Sequence, residues 1–166
     1  KTMKIKIFRI IMTIALICSL FTIYRFSSQN GTQSKGISTK VSRFILNFSN
    51  TYKEANAKEQ TRMLNRTNAI IRKIAHFSVY TLLGLTIMGL MTKTKLKDKW
   101  RILITIGLGM IYAILDEFHQ SFSPGRTPKV TDVYIDTLGI ILGALLVILI
   151  RMIYKKIKAK YCKNVT

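Results

Sequence analysis

Acidic side chains are scarce in this chain: seven Asp and Glu stand against 27 Lys and Arg, for a net charge of +20 over 166 residues. That excludes the mixed-sign surface on which a small soluble domain relies. Cysteine occurs only twice, at Cys18 and Cys162. The first falls inside an apolar run and the second in a basic tail, so no disulfide framework is expected. Two histidines, His76 and His119, form neither a His-Glu-x-x-His motif nor a Cys/His zinc pattern. There is one tryptophan, Trp100, and there are two prolines, Pro124 and Pro128.

What the chain does have is apolar sequence, 49% of its residues. A soluble basic protein that binds nucleic acid spreads its charge along polar helices or a stripe. Here the charge lies between apolar runs, as in a polytopic membrane protein. Four runs, at about 5–26, 72–91, 101–120 and 132–151, match the ~17–25 residues that a membrane-crossing helix needs. The first reads as a span and not as a cleavable signal, because it is too long and no small-x-small site follows Tyr24. The predicted fold is therefore all-α: one domain over 1–166, a bundle of four transmembrane helices, with an extracytoplasmic amphipathic segment at 37–69.

Lysine and arginine in the short loops set the orientation. Lys1, Lys4, Lys6 and Arg9 flank the first run, Lys93, Lys95, Lys97, Lys99 and Arg101 lie between the second and third, and Arg151 to Lys163 form a basic tail. The loop between the third and fourth runs has only Arg126 and Lys129. Both termini are thus expected in the cytoplasm, with residues 116–136 outside. Residues 25–73 carry ten basic residues and would also lie outside, against the rule, but long loops are weaker topology signals.

The composition of Ser27 to Gly36 reads as a loop. Ile37, Val41, Phe44, Ile45, Phe48 and Tyr52 then recur at helical spacing, with Ser38 placed to cap the start. Such a helix either lies on the outer membrane surface or packs over the end of the bundle, and the two are compatible.

Four of the seven acidic residues, Asp116, Glu117, Asp132 and Asp136, fall within 116–136, together with His119, both prolines and Arg126. Helical spacing of four puts Arg72 with His76, Asp116 with Gln120, and Asp132 with Asp136, each pair on one helical face. Three helices thus present polar stripes at the same end. Farther along these faces, Tyr80 and Gly84, and Gly139 and Gly143, read as packing positions, since small residues let helices approach closely. Gly107 and Gly109 read as helix contacts too.

An ionised group inside a bilayer is costly and faces the bundle interior, a partner or a functional site. One reading is a structural network in which Arg72 and Arg126 neutralise Asp132 and Asp136. A second is a metal site from His76, Asp116, Glu117, His119, Asp132 and Asp136. The nearby arginines and the missing ligand spacing argue against it, so no metal and no cofactor are predicted. A third is acid–base chemistry by closely grouped carboxylates, with Asp116, Glu117 and His76 as catalytic candidates. The favoured reading is recognition of an anion by Arg72 and Arg126. Glu117, Asp132 and Asp136 would orient those arginines, and His76 and Gln120 would supply hydrogen bonds. The predicted partners are membrane lipids, and in particular an anionic lipid or a lipid-linked cell-wall component, not nucleic acid.

The series Arg72-Lys73-Ile74-Ala75-His76-Phe77, Tyr80 and Gly84, then Tyr112, Asp116-Glu117-Phe118-His119-Gln120 and Pro124-Gly125-Arg126, then Asp132-Val133, Asp136-Thr137-Leu138-Gly139 and Gly143, resembles the VanZ-like family. Ser27-Ser28-Gln29 after the first run fits as well. The resemblance covers most of residues 10–150. It implies a small integral protein of the bacterial plasma membrane, with a role at the cell envelope. The family's founding member is associated with low-level resistance to the glycopeptide teicoplanin. An outer-leaflet enzyme acting on a lipid-linked substrate and a structural or partner-binding subunit are the alternatives.

Overall fold

The computed structural model describes residues 2–29 and 31–163, without the side chains of 31–34, 162 and 163. Its elements are α1 (Thr2–Ser27), α2 (Gly31–Leu46), α3 (Asn50–Glu54), α4 (Ala57–Met91), α5 (Asp98–Gln120) and α6 (Val130–Lys163), with no strand among the described residues. Helices α1, α4, α5 and α6 are each long and apolar enough to cross a membrane. Their outer faces stay apolar and exposed, as at Ile10, Ile14, Ile17, Phe21, Leu108, Leu115 and Leu145. In water that surface would be a liability, whereas against lipid tails it costs nothing.

Contacts along the chain define the directions of the four. Phe77 and Thr81 of α4 meet Gly139 and Gly143 of α6 in rising order, so these two helices run parallel. Ser27 reaches Asp116 and Tyr112 reaches Leu20, so α1 runs parallel to α5. Asp98 at the start of α5 meets Arg151 well along α6, so α5 and α6 are antiparallel. One end of the bundle therefore gathers the C-terminus of α1, the C-terminus of α5 and the start of α6. The opposite end gathers Arg9, Lys93, Asp98, Arg101 and Arg151. There Asp98 bridges Arg101 at 2.6 Å and Arg151 at 2.8 Å. Arg9 and Arg101 also donate to the carbonyls of Lys93 and Thr94.

The tightest packing is between α4 and α6, and glycine makes it possible. A Cβ on Gly143 would collide with the carbonyl oxygen of Thr81, and one on Gly84 with that of Ile140. A Cβ on Gly139 would lie 2.6 Å from the Phe77 carbonyl oxygen. Gly109 of α5 leaves room for the Ile140 side chain, as expected of a helix contact, but Gly107 has nothing within 4 Å and is no contact at all. The buried apolar cluster beside this crossing is small: Ile23, Tyr80, Leu83, Ala113 and Ile140.

The segment between the first two spans differs from the expected loop and capped helix. Helix α2 begins at Gly31, so Ser38 sits within it and does not cap it; its hydroxyl donates to the Lys35 carbonyl at 3.3 Å. Helix α4 begins at Ala57 and continues unbroken to Met91, so residues 57–71 belong to the same rod as the second span. Asn56 caps that rod by accepting the Glu59 N–H at 2.9 Å. At ~1.5 Å per residue, 35 residues extend to roughly 50 Å, more than the ~30 Å hydrocarbon core. Helix α2 packs on this extension through polar groups: Asn68 donates to Thr39 Oγ1 at 2.7 Å and accepts from Ser42 Oγ at 3.5 Å. Of its apolar stripe, Phe44 and Ile45 point away from the protein, with Phe44 66% exposed, while Ile37 and Val41 are partly exposed and also line a cavity against α4. Cys18 is free and exposed, and the side chain of Cys162 lies outside the described residues, so its predicted lack of a partner is not addressed.

The α4–α6 crossing should be intolerant of a single methyl group. Gly143→Ala is expected to lower the unfolding midpoint in detergent, at a cost of about 1–3 kcal/mol for overpacking. Gly107→Ala should leave it unchanged. Equal midpoints for the two variants would remove the close approach as the organising contact.

Candidate functional site

Parallel packing of α4 and α6 places His76 one turn before Tyr80 and opposite Asp136. The His76 Nδ1 and Asp136 Oδ2 atoms are 3.9 Å apart, an ion-pair distance only if the imidazole is protonated. From α5, Asp116 brings its carboxylate to the same place, and one ligand atom from each of His76, Asp116 and Asp136 lies within 4.8 Å of the others. Asp116 and Asp136 are buried, the latter to 2% exposure.

Gln120 links this cluster to the loop after α5. Its amide donates to Asp116 Oδ2 at 2.9 Å, and its carbonyl oxygen accepts from Arg126 Nη1 at 2.7 Å. Arg126 Nη2 donates to the Phe26 carbonyl at 2.9 Å, at the end of α1. The loop can fold back this way because Gly125 adopts φ 76°, a left-handed conformation that a side chain would strain. Burial, with the Arg72 charge as a second cause, holds Arg126 below the usual arginine range, which still leaves it protonated at neutral pH.

The remaining predicted residues take different places. Glu117 is buried, and its Oε1 accepts the Lys129 backbone N–H, which ties the end of α5 to the start of α6. Asp132 has only a 3.5 Å contact from Thr131 Oγ1 and lines a polar cavity of about 100 Å³. Arg72 makes no hydrogen bond or ion pair among the described residues. The expected network, in which Arg72 and Arg126 neutralise Asp132 and Asp136, is therefore absent from the described residues. The physical reason is that Arg126 is committed to a neutral amide and a carbonyl, while Asp136 faces the imidazole. Glu117, Asp132 and Asp136 make no ion pair with either arginine among the described residues.

Two cavities meet at Arg72 and His76. The polar one is lined also by Lys73, Gln120, Lys129, Asp132 and Asp136. The other, of about 190 Å³, is lined by Phe26, Ile37, Val41, Ile71 and Ala75, with Arg72, His76 and Arg126. Its apolar walls come from α1, α2 and the extension of α4.

Several contributors escaped the sequence reading. The end of α1 supplies the Phe26 carbonyl and Ser27, whose hydroxyl lies 3.4 Å from the Asp116 carbonyl oxygen and whose own carbonyl accepts from Ser123. Tyr80, read as packing, is fully buried with its hydroxyl beside the Asp116 and Asp136 carboxylates. The signal for Ser27 was the polar Ser-Ser-Gln run closing an apolar span; nothing local distinguishes a site tyrosine from a core one. His119 contacts Ser28 Oγ at 3.3 Å and stacks on Tyr24, outside this cluster.

No curated protein and no solved structure matches the chain significantly. A family model described as VanZ/LLP1 matches residues 11–151, which takes in α4 and α5 whole, most of α1 and α6, and every residue of the site just described. On that match, the chain belongs to the VanZ-like family.

Proposed function

We propose that this protein binds an anionic, lipid-anchored molecule at the outer face of the bacterial plasma membrane and thereby lowers susceptibility to teicoplanin-type glycopeptides. The observation that carries the reading is a pair of neighbouring guanidinium groups, Arg72 and Arg126, neither paired with a carboxylate. Two like charges held together, with no direct carboxylate partner among the described residues, favour a bound anion, and a guanidinium matches phosphate or carboxylate geometry. The two cavities suit the two halves of such a ligand. Arg72, Lys73 and Lys129 line the polar one, which fits a headgroup. Phe26, Ile37, Val41 and Ile71 line the other, which fits the start of an acyl or polyprenyl chain.

Sidedness rests on the positive-inside rule. The Lys93–Arg101 loop, the first turns of α1 and the tail after Arg151 share one end of the bundle, so that end faces the cytoplasm and the site faces outward. The exposed apolar stripe of α2 would then rest in the outer leaflet.

A second reading, an enzyme of the outer leaflet acting on a lipid-linked substrate, draws support from the apposed carboxylates of Asp116 and Asp136. Under it Asp116 is the better acid–base candidate, since Glu117 is held by the Lys129 N–H.

In a susceptible host, expression of the chain should raise the inhibitory concentration of teicoplanin. Arg72→Ala and Arg126→Ala, at equal membrane abundance, should each abolish that rise, while Arg72→Lys should retain part of it. Full resistance in both alanine variants would defeat the anion reading, and loss in Asp116→Asn with normal folding and undiminished anion binding would favour chemistry over binding. For topology, a cysteine replacing Ser123 in a Cys18→Ser, Cys162→Ser background should react with a membrane-impermeant maleimide in intact cells, and one replacing Thr94 should not. The reverse pattern would invert the orientation.

A further inference from the structure

Within the bundle the two carboxylates of Asp116 and Asp136 lack the partner that two buried charges need. Neither makes an ion pair with Lys or Arg among the described residues, although both are buried. Asp116 takes a neutral amide, and Asp136 faces an imidazole beyond hydrogen-bond length. A buried polar atom points to a missing occupant: Asp136 Oδ1 has no hydrogen-bond partner among the described residues, and the buried Tyr80 phenol is placed against Asp116 and within reach of the Asp136 charge. An unmet buried carboxylate oxygen is expensive, and so is leaving two carboxylates this close without a cation.

We propose that His76, Asp116 and Asp136 hold a divalent transition-metal ion such as Mn²⁺ or Zn²⁺. One imidazole nitrogen with carboxylate oxygens is a donor set that suits these ions, whereas Ca²⁺ requires six to eight oxygens. The three ligand atoms lie within 4.8 Å of one another. Ligands ~2.0–2.2 Å from an ion lie ~3–4 Å apart, so closure requires a shift smaller than about 1 Å. Asp116 is already oriented by Gln120, itself held by Arg126, the supporting arrangement that metal-binding carboxylates use. Three protein ligands leave coordination positions free. His76 and Asp136 line the polar cavity, so an open position can face it. Arg126 is near enough to oppose a cation at His76, but the two carboxylate charges of Asp116 and Asp136 outweigh its single positive charge. The sequence argued against a metal on its nearby arginines and its missing ligand spacing; the spacing is missing because the ligands come from three separate helices.

The metal site stands independently of the anion reading. Untagged full-length protein, stripped of metal in detergent, is titrated with Mn²⁺ by electron paramagnetic resonance and with Zn²⁺ against a fluorescent chelator. One saturable equivalent and a raised unfolding midpoint are expected. Asp136→Asn, Asp116→Asn and His76→Gln should each lose it, and Gln120→Leu should weaken it about 10–100-fold. Absence of a saturable site in the folded wild-type protein overturns the proposal, even if the variants fail to fold. So does equal binding by folded ligand variants. Retention on vesicles containing anionic phosphatidylglycerol, measured on the same preparations, separates the readings: metal without vesicle-headgroup binding defeats the anion reading alone, and the converse defeats the metal site alone.

Discussion

Backbone contact between α4 and α6 is the constraint on which the other features depend. In lipid no hydrophobic force drives helices together, so close packing and polar contacts must do so. Gly84, Gly139 and Gly143 let carbonyl groups of one helix rest against the other where any side chain would intrude. That contact sets the register. With Phe77 at Gly139 and Thr81 at Gly143, His76 and Asp136 are brought opposite each other. A slip of one turn would separate them. Helix α5 adds Asp116 because Gly109 admits the Ile140 side chain, which holds α5 at its depth.

The two ends of the bundle solve the same charge problem differently. At the basic end Asp98 is shared directly by Arg101 and Arg151, and the half-exposed carboxylate remains within reach of water. Such an end needs no ligand. At the other end acids and arginines are close but separate: Arg126 reaches Asp116 through Gln120, and Arg72 makes no ion pair among the described residues. A closed network of direct ion pairs would have locked the helices and filled the space. The unpaired arrangement instead preserves a cavity with cationic and anionic parts side by side, which is what binding a charged ligand or an ion requires.

Helix α2 shows how a membrane inverts the usual meaning of an amphipathic pattern. In a soluble domain the stripe Ile37, Val41, Phe44 would face the core. Here Ser42 and Thr39 face the protein, through Asn68, and the far side of the apolar stripe, Phe44 and Ile45, faces out. The periodicity was legible in the sequence, but the direction in which it points was not. Periodicity reports that one face differs from the other, and only the neighbouring surface decides which face is buried.

Composition and hydropathy by themselves determined that the chain is helical, that four segments are long and apolar enough to cross a membrane, and that polar groups from distant segments share one end. Those follow from local chemistry: apolar length, helical spacing, and the cost of charge in lipid. The motifs around Arg72, Asp116 and Asp132 likewise sufficed for the family. Only the tertiary structure decided which charges pair. Whether Arg126 meets Asp136 or Gln120 depends on a loop turned by Gly125 and on the depth of α5, quantities set by packing across helices. For the same reason it alone brought Phe26 and Ser27 of α1 to the site, left Arg72 without an ion-pair partner among the described residues, and set His76, Asp116 and Asp136 around one point.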